Sequence, residues 1–183
     1  MQSALALFSS QGYDATSVRE ICEAAGITKP TLYHFYGSKE GVYRALVDGV
    51  LEDFRAHLTQ RLAEGGPVVA RLKRVARSYF DAARGRRELM RFIFSIIHNP
   101  PASAPVTDFI RYYDEIVQLI AGVVDEGVRD GTLAAGPTDV RMLLLMGALA
   151  EALCGWLIAG RPAELTPELA DAIVDTLVRG WNP

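Results

Sequence analysis

Hydrophobic residues at the start of the chain recur at helical spacing and are interrupted by glycines. The pattern predicts a short amphipathic helix over residues 3–11, which ends at Gly12. Ser17, followed three residues later by Glu20, is a capping-box pattern, so a second helix is expected to begin there. Gly26 should end this helix, because a residue without a Cβ turns the chain sharply at little cost.

A third short helix is predicted directly after this turn. Thr28 is a suitable N-cap, and Pro30 lies in the first helical turn, where its missing N–H group does no harm. Leu32 and Phe35 are expected on the inner side of the helix, which stops before Gly37. Two short helices joined by a tight glycine turn form the unit that places its second helix in a DNA major groove. The pattern therefore predicts a helix-turn-helix.

The rest of the chain shows helical spacing and no strand-like alternation. A long helix should join the N-terminal three-helix head to a C-terminal body of five helices. The predicted ranges are 38–63 for the long helix, and 68–84, 87–97, 106–128, 138–158 and 166–180 for the body. The predicted fold class is all-α, with a helix-turn-helix domain over residues 1–46 and a helical bundle domain over residues 47–183.

The last two predicted helices are unusually apolar. Residues 142–157 are apolar nearly all round, and a helix of that kind must be buried on every side. One interpretation is a central core helix of a single chain. The other, which we favour, is a symmetric dimer in which two helices from each subunit form a four-helix bundle. The candidate interface residues are Leu144, Gly147, Ala148, Glu151, Leu169, Ile173 and Leu177.

The N-terminal part of the chain resembles the tetracycline-repressor (TetR) family of bacterial transcription regulators. Short pieces of sequence between residues 3 and 46 follow the order and the spacing of that family. They are Gly12-Tyr13, Thr16-Ser17, Ala25-Gly26-Ile27-Thr28, Thr31-Leu32-Tyr33-His34-Phe35 and Ser38-Lys39-Glu40. The resemblance implies a homodimer that binds a pseudo-palindromic operator in double-stranded DNA. It also implies a small-molecule effector pocket in the body.

Candidate DNA contacts lie at the N-terminal end of the second motif helix, which enters the groove. Pro30 can contact a thymine methyl group, and Lys29 can bond either guanine or a phosphate. Tyr33 resembles the phosphate-contacting tyrosine of the family, and Lys39 is placed to meet the DNA backbone. Thr16 and Ser17 are expected to cap the preceding helix beside another phosphate. The full candidate set is Thr16, Ser17, Thr28, Lys29, Pro30, Thr31, Tyr33, His34 and Lys39.

The body contains many aromatic and methionine residues, and core packing accounts for most of them. Buried Tyr and Trp side chains nevertheless need hydrogen-bond partners, and pockets between bundle helices are common ligand sites. The candidates for the effector pocket that the resemblance implies are Phe80, Met90, Phe94, His98, Tyr112, Tyr113 and Trp156. His98 is equally suited to ending its helix, where it would interact with the helix dipole.

Composition and charge narrow the class of protein. The chain has 183 residues, of which 50% are hydrophobic, and a formal net charge of −3. The hydrophobic fraction predicts a substantial core. The negative net charge argues against a protein that binds nucleic acids non-specifically through a broad positive surface. A basic run should form a solvated, ion-paired face, or else attract an anionic effector or flanking DNA. Its members are Arg71, Lys73, Arg74, Arg77, Arg84, Arg86, Arg87 and Arg91.

Further features of the sequence indicate the cellular compartment and the absence of an enzyme active site. Cys22 and Cys154 both lie in apolar helical patterns, which favours buried thiols in a reducing cytoplasm over a disulfide. The N-terminus lacks the features of a signal peptide, and the most apolar stretch, residues 143–159, contains Glu151 and is short for a membrane span. No phosphate loop, metal-spaced His/Cys cluster or nucleophile elbow occurs, so we expect no catalytic residue, metal or cofactor.

These patterns together predict a cytoplasmic, ligand-responsive, DNA-binding transcriptional regulator. Among such regulators we favour a repressor that leaves its operator when a small hydrophobic or aromatic inducer binds. The alternative is a helical small-molecule-binding protein whose head does not bind DNA. The balance of charge in the first 50 residues motivates this alternative, because acidic residues outnumber basic ones there.

Overall fold

The structure, a computed structural model, describes residues 1–98, 103, 105, 109–157 and 164–181, except for the side chain of His98. These residues form an all-α protein, as predicted. The helices are α1 (Gln2–Ala15), α2 (Val18–Ala25), α3 (Lys29–Tyr36), α4 (Lys39–Ala63), α5 (Val68–Ala83), α6 (Arg87–His98), α7 (Phe109–Arg129), α8 (Thr138–Leu157) and α9 (Pro167–Arg179). Residues 106–108 and 158, which the prediction included in helices, lie outside the described residues.

The chain divides into two compact units. The first contains residues 1–53 and 86–110, and the second contains residues 54–85 and 111–183. Helix α6, which the sequence placed in the C-terminal body, thus belongs to the same unit as the helix-turn-helix. Helix α4 contributes residues to both units.

The predicted ends of the two motif helices are confirmed. The Glu20 N–H donates to Ser17 Oγ at 3.2 Å, and the Ser17 N–H donates to Glu20 Oε2 at 2.8 Å, which completes the capping box. Gly26 ends α2 in the left-handed conformation, with φ of 65°. Thr28 caps α3 by accepting a hydrogen bond from the Thr31 N–H at 3.3 Å.

An aromatic cluster forms the core of the first unit. Phe8, Tyr13, Tyr43 and Phe92 are all buried, and the rings of neighbouring members lie 5.0–6.3 Å apart. The cluster joins α1, α4 and α6, and the Ser9 hydroxyl adds a hydrogen bond to the Glu88 carbonyl. Burial raises the pKa of Tyr43 to about 12, and the neighbouring Tyr13 adds to this shift. The first unit therefore rests on contacts between distant parts of the sequence.

The predicted inner face of α3 is wrong at one position. Leu32 is buried at 1% exposure, but Phe35 is 72% exposed and its ring contacts only His34 among the described aromatic rings. The half-buried residue on the same face as Leu32 is Tyr36, one full turn later. Spacings of three and four residues both fit a helical face, and α3 ends at Tyr36, so no further turn covers Phe35.

Helix α4 begins with a close approach that only glycine permits. The Gly41 N–H donates to Ser38 Oγ at 3.0 Å, so Ser38 supplies the first hydrogen bond of the helix. A Cβ added at Gly41 would collide with the backbone carbonyl oxygen of Tyr36. The junction between α3 and α4 is therefore set by backbone contact as well as by the serine cap.

The second unit is a helical bundle in which α5 packs extensively against α9, and both helices contact α8. Leu72, Val75 and Phe80 on α5 are completely buried, as are Leu149 on α8 and Ala170 on α9. Burial of this kind stabilises each large side chain by about 1.5–3 kcal/mol relative to exposure. The packing holds α8 and α9 side by side.

The basic run on α5 forms ion pairs, as the first interpretation predicted. Its pairs are Arg71–Glu126 at 2.5 Å, Lys73–Asp175 at 2.7 Å, Arg74–Glu64 at 3.7 Å, Arg77–Asp171 at 2.5 Å and Arg84–Asp81 at 3.2 Å. The hydrogen bonds from Arg77 lower the pKa of Asp171. These pairs join α5 to the loop after α4, to α7 and to α9, and they involve five of the eight basic residues of the run.

Helix α8 is buried on one side only. Leu145, Met146 and Leu149 are buried, whereas Leu143 is 72% exposed and Leu144 is 47% exposed. Its composition and length alone would allow it to cross a membrane, with a mean hydropathy of 1.6 over the most apolar window. Partly buried core helices of bundles meet the same criterion, and Glu151 interrupts the exposed side. The exposed apolar side of α8 is therefore a candidate surface for contact with another protein subunit.

Candidate functional site

The N-terminal end of α3 presents a polar surface to solvent. Thr28, Lys29, Pro30, Tyr33 and His34 are exposed, and Tyr33 is 49% exposed. Thr31 is half-buried, and its hydroxyl lies 2.9 Å from that of Thr28. The structure thus brings the predicted members of α3 together on one accessible end of a helix, where free backbone N–H groups also point outward.

Thr16 and Ser17 have different roles, which corrects the expectation that both cap the helix. Ser17 alone caps α2. Thr16 is buried at 1% exposure, and its hydroxyl donates to the Gly12 carbonyl at 2.7 Å. The side-chain amide of Gln11 donates to the same hydroxyl at 3.3 Å. Thr16 therefore holds the turn between α1 and α2, and Ser17 is the residue of the pair that lies exposed.

Lys39 is directed toward the interior of the first unit. Its Nζ donates to the carbonyls of Tyr13 and Thr16, both at 2.9 Å, and lies 4.2 Å from the centre of the Tyr13 ring. Charge-assisted hydrogen bonds of this kind are the stronger ones in proteins. Lys39 thus ties the start of α4 to the turn before α2, and so fixes the position of the helix-turn-helix.

Lys29 is distinguished from the other basic residues of the head. Arg19 pairs with Glu23 at 3.6 Å, and Arg44 pairs with Glu40 at 2.8 Å. Lys29 makes no ion pair among the described residues, and it lies exposed in the first turn of α3. The head therefore offers one unpaired cation at the place where a groove-binding helix would meet DNA.

The candidate dimer residues lie on the exposed sides of α8 and α9. Leu144, Gly147 and Glu151 are exposed at helical spacing, and Ala148 is half-buried between them. On α9, the residues Leu169, Ile173 and Leu177 are all half-buried. Both sets belong to the second unit.

The candidate effector residues are distributed over both units. Met90 and Phe94 are half-buried on α6, in the first unit. In the second unit, Phe80 is completely buried, Tyr112 and Trp156 are half-buried, and Tyr113 is 42% exposed. The side chain of His98 lies outside the described residues.

A groove of about 460 Å³ lies between α7 and α8 within the second unit. It has apolar walls and two carboxylates, and it contains one of the predicted effector residues, Tyr113. Its lining residues are Tyr113, Val117, Gln118, Ala121, Asp125, Thr138, Asp139, Met142, Leu143 and Met146. The volume lies in the range of about 300–1,000 Å³ that is typical of small-molecule sites.

Sequence reasoning missed one residue next to this groove, Tyr79 on α5. Its ring packs edge-on against Phe54 at 4.8 Å, and its hydroxyl donates to the Met146 sulfur at 3.6 Å. Burial raises the pKa of Tyr79, and the nearby Tyr113 contributes to the shift. Its spacing of four residues from both Val75 and Ala83, which are buried, was the available signal in the sequence.

Comparison with known proteins agrees with this geometry. A capped helix-turn-helix followed by a helical bundle is the arrangement that the compared structures share. The sequence model described as "Bacterial regulatory proteins, tetR family" matches residues 1–46. This match covers the helix-turn-helix head, which is similar in sequence to that of the tetR family. The match agrees with the helix-turn-helix that the sequence predicts for this part of the chain.

One relative shows similarity in sequence, and two solved structures show similarity in fold. The chain is 29% identical over 129 residues to the transcriptional repressor KstR2 of Rhodococcus jostii, a match that covers 70% of this chain and 63% of that relative. The fold is similar to that of the TetR family regulator PfmR from Thermus thermophilus, with a TM-score of 0.79, 22% identity, and coverage of 100% and 95% of the two chains. FadR from Bacillus subtilis in complex with stearoyl-CoA matches with a TM-score of 0.80, 17% identity, and coverage of 98% and 96%.

Proposed function

We propose that the protein is a homodimeric, ligand-responsive transcriptional repressor that binds a pseudo-palindromic operator in double-stranded DNA. The observation that carries the proposal is the exposed N-terminal end of α3, with the unpaired Lys29 in its first turn. The end of a recognition helix that meets the groove is the part that contacts base edges. The match of residues 1–46 to the tetR family and the name of the relative KstR2, a transcriptional repressor, support this role.

Within this proposal the candidate residues divide by role. Lys29, Pro30 and Thr31 would meet base edges, while Ser17, Thr28, Tyr33 and His34 would meet phosphates or the groove edge. Thr16 and Lys39 would act indirectly, because their polar groups hold the turn and the start of α4. Few cations are free in the head, so placed contacts and helix N-termini would supply most of the affinity.

The direct test is selection of bound sites from random duplex DNA by the purified protein. We expect a pseudo-palindromic site with half-sites about 34–36 Å apart or a multiple of that distance. Lys29→Gln should reduce the slope of log affinity against log salt by about one, or change the preferred base. Arg179→Gln is the matched control, because it removes one exposed cation from the second unit. Equal effects of the two substitutions would contradict the proposal.

The dimer would use the exposed sides of α8 and α9. Leu144, Gly147 and Glu151 lie along one side of α8, with the half-buried stripe of α9 beside them. An apolar surface of this kind on two neighbouring helices is suited to a four-helix bundle with the same surface of a second subunit. The dimer would contain two recognition helices, one from each subunit.

The effector would be a small hydrophobic or aromatic compound that binds in the second unit. The groove between α7 and α8 supports this part of the proposal through its volume and its apolar walls. Among the relatives, the B. subtilis protein is named a fatty acid metabolism regulator, and a solved FadR contains stearoyl-CoA. An effector that binds the DNA-competent and DNA-incompetent states differently would shift the population between them.

The second candidate is a helical small-molecule-binding protein whose head does not bind DNA. It is favoured by one observation, namely that Arg19, Lys39 and Arg44 all have partners within the head. The two candidates differ in salt dependence, since phosphate neutralisation makes affinity fall steeply with salt. Absence of any enriched DNA site at low salt would favour the second candidate. Either function would be exercised in the cytoplasm.

A further inference from the structure

Tyr79 is half-buried, and its hydroxyl is a hydrogen-bond donor with a poor acceptor. It reaches the Met146 sulfur at 3.6 Å, and the described residues offer it no other hydrogen-bond acceptor. A thioether sulfur accepts hydrogen bonds only weakly. Burial raises the pKa of Tyr79, so the hydroxyl remains protonated and available as a donor. The edge-on contact with Phe54 fixes the ring and therefore the direction of the hydroxyl.

Met146 separates this hydroxyl from the groove. The same side chain lines the groove between α7 and α8, and it is 9% exposed. Methionine is unbranched and has three rotatable bonds, so it can change conformation more readily than a β-branched residue. Tyr113, which lies close enough to Tyr79 to influence its pKa, lines the same groove. A ligand that moved the Met146 side chain would therefore meet the Tyr79 hydroxyl.

The charges of the groove restrict the ligand further. Asp125 and Asp139 are both lining residues, and no lysine or arginine occurs among the described residues that line the groove. Both carboxylates are exposed, and Asp125 accepts a hydrogen bond from the Thr138 hydroxyl at 2.6 Å. Two carboxylates at one end repel a carboxylate or phosphate on the ligand. A neutral group that accepts a hydrogen bond has no such penalty.

We propose that this groove binds a neutral, mainly apolar small molecule whose carbonyl oxygen accepts a hydrogen bond from Tyr79. The ligand oxygen would replace the weak acceptor Met146, whose side chain would pack against the apolar part of the ligand. Val117, Ala121 and Met142 supply the apolar walls for that part. This inference rests on the proposed function, because it names the class of compound that acts as effector.

The first test uses 6-propionyl-2-(dimethylamino)naphthalene, a neutral ketone whose fluorescence shifts to the red when its carbonyl accepts a hydrogen bond. We expect saturable binding to the wild-type protein. Tyr79→Phe should weaken that binding about 5–10-fold, the usual effect of one hydrogen bond, and shift the bound emission to the blue. Tyr36→Phe, in the first unit, is the matched control and should change neither property. Equal affinity and emission for wild type and Tyr79→Phe, or no saturable binding to the wild type, would overturn the proposal.

The second test addresses charge by displacement of the bound fluorophore. Undecan-2-one should displace it from the wild-type protein, whereas decanoate at neutral pH should not. The double substitution Asp125→Asn with Asp139→Asn should strengthen displacement by decanoate at least 5-fold and leave undecan-2-one unchanged. Asparagine keeps an oxygen acceptor for Thr138, so the local fold is retained. Displacement by decanoate and by the ketone at equal concentrations from the wild type would refute the predicted selectivity.

DNA binding separates the failure of this inference from the failure of the proposed function. Tyr79→Phe should bind the selected DNA site as tightly as the wild type but require more undecan-2-one for release. If a DNA site is selected but the fluorophore does not bind as predicted, the protein is a DNA-binding regulator and the ligand assigned to the groove is wrong. If the fluorophore binds as predicted but no DNA site is enriched, the groove is a ligand site and its proposed role as an effector site is wrong.

Discussion

Replacing Lys39 by methionine would test whether this residue holds the head together. The sequence suggested that Lys39 meets the DNA backbone, whereas its ammonium group lies 2.9 Å from the carbonyls of Tyr13 and Thr16. Methionine keeps the length and the apolar part of the side chain and removes the charged donor. The substitution therefore isolates the two hydrogen bonds and the contact with the Tyr13 ring.

The expected cost follows from these contacts. A hydrogen bond that involves a charged group contributes about 1.5–3 kcal/mol, and the half-buried position of Lys39 favours the lower end. The cation–π contact adds about 0.5–1 kcal/mol. In the variant, the carbonyls of Tyr13 and Thr16 can bind water instead, which reduces the loss of stability. We expect Lys39→Met to lower the free energy of unfolding by about 2–3 kcal/mol. The corresponding fall in Tm is about 4–12 °C for a chain of this size.

Equilibrium unfolding in urea, followed by circular dichroism, measures this loss. Lys29→Met is the matched control, since Lys29 is exposed and makes no ion pair among the described residues. It should change the free energy of unfolding by less than about 0.5 kcal/mol. If Lys39→Met were as stable as the wild type and only weakened DNA binding, Lys39 would be a DNA contact and the structural reasoning would be refuted.

Three further substitutions test other parts of the structure. Gly127→Ala should destabilise the second unit by about 1–2 kcal/mol, because its Cβ would lie 2.9 Å from Val68 Cγ1. Gly122→Ala on the same helix is the control, because a Cβ at Gly122 would meet open space, and it should stabilise the helix by about 0.5–1 kcal/mol. Equal effects of the two substitutions on thermal unfolding would contradict the packing around Gly127. Ser17→Ala should cost about 1 kcal/mol at neutral pH through loss of the capping box. Hydrogen bonds from Ser17 lower the pKa of Glu20 below its ordinary 4.5. The part of the stabilisation that comes from the Ser17 hydroxyl and the ionised Glu20 carboxylate is therefore present above pH 4.5 and lost as the pH falls through the lowered pKa. A pH series of urea midpoints should show the difference between wild type and Ser17→Ala becoming smaller in acid, while the part due to the bond from the Glu20 N–H to Ser17 Oγ remains. Leu144→Lys should convert the proposed dimer to a monomer in sedimentation equilibrium, while Ala45→Lys, at another exposed helical position, should not. A dimer of unchanged stability in Leu144→Lys would exclude this surface as the interface.

The local structure of this protein could be predicted from its sequence. The capping box of Ser17 and Glu20, the end of α2 at Gly26 and the start of α3 at Thr28 all match the prediction. Such features depend on residues within about four positions of one another, and the hydrogen bonds that satisfy helix ends are specified by those neighbours. The helical class followed in the same way from the spacing of hydrophobic residues.

Other properties were decided only by the tertiary structure. Lys39 turns inward because the Tyr13 carbonyl, 26 positions away in sequence, lies within hydrogen-bond distance of it. Phe35 is 72% exposed, although its spacing matched the inner face, and no described element buries it. The role of Tyr79 depends on α8, which places Met146 against its hydroxyl. Whether a residue meets a partner from a distant part of the chain is not specified by periodicity along one helix.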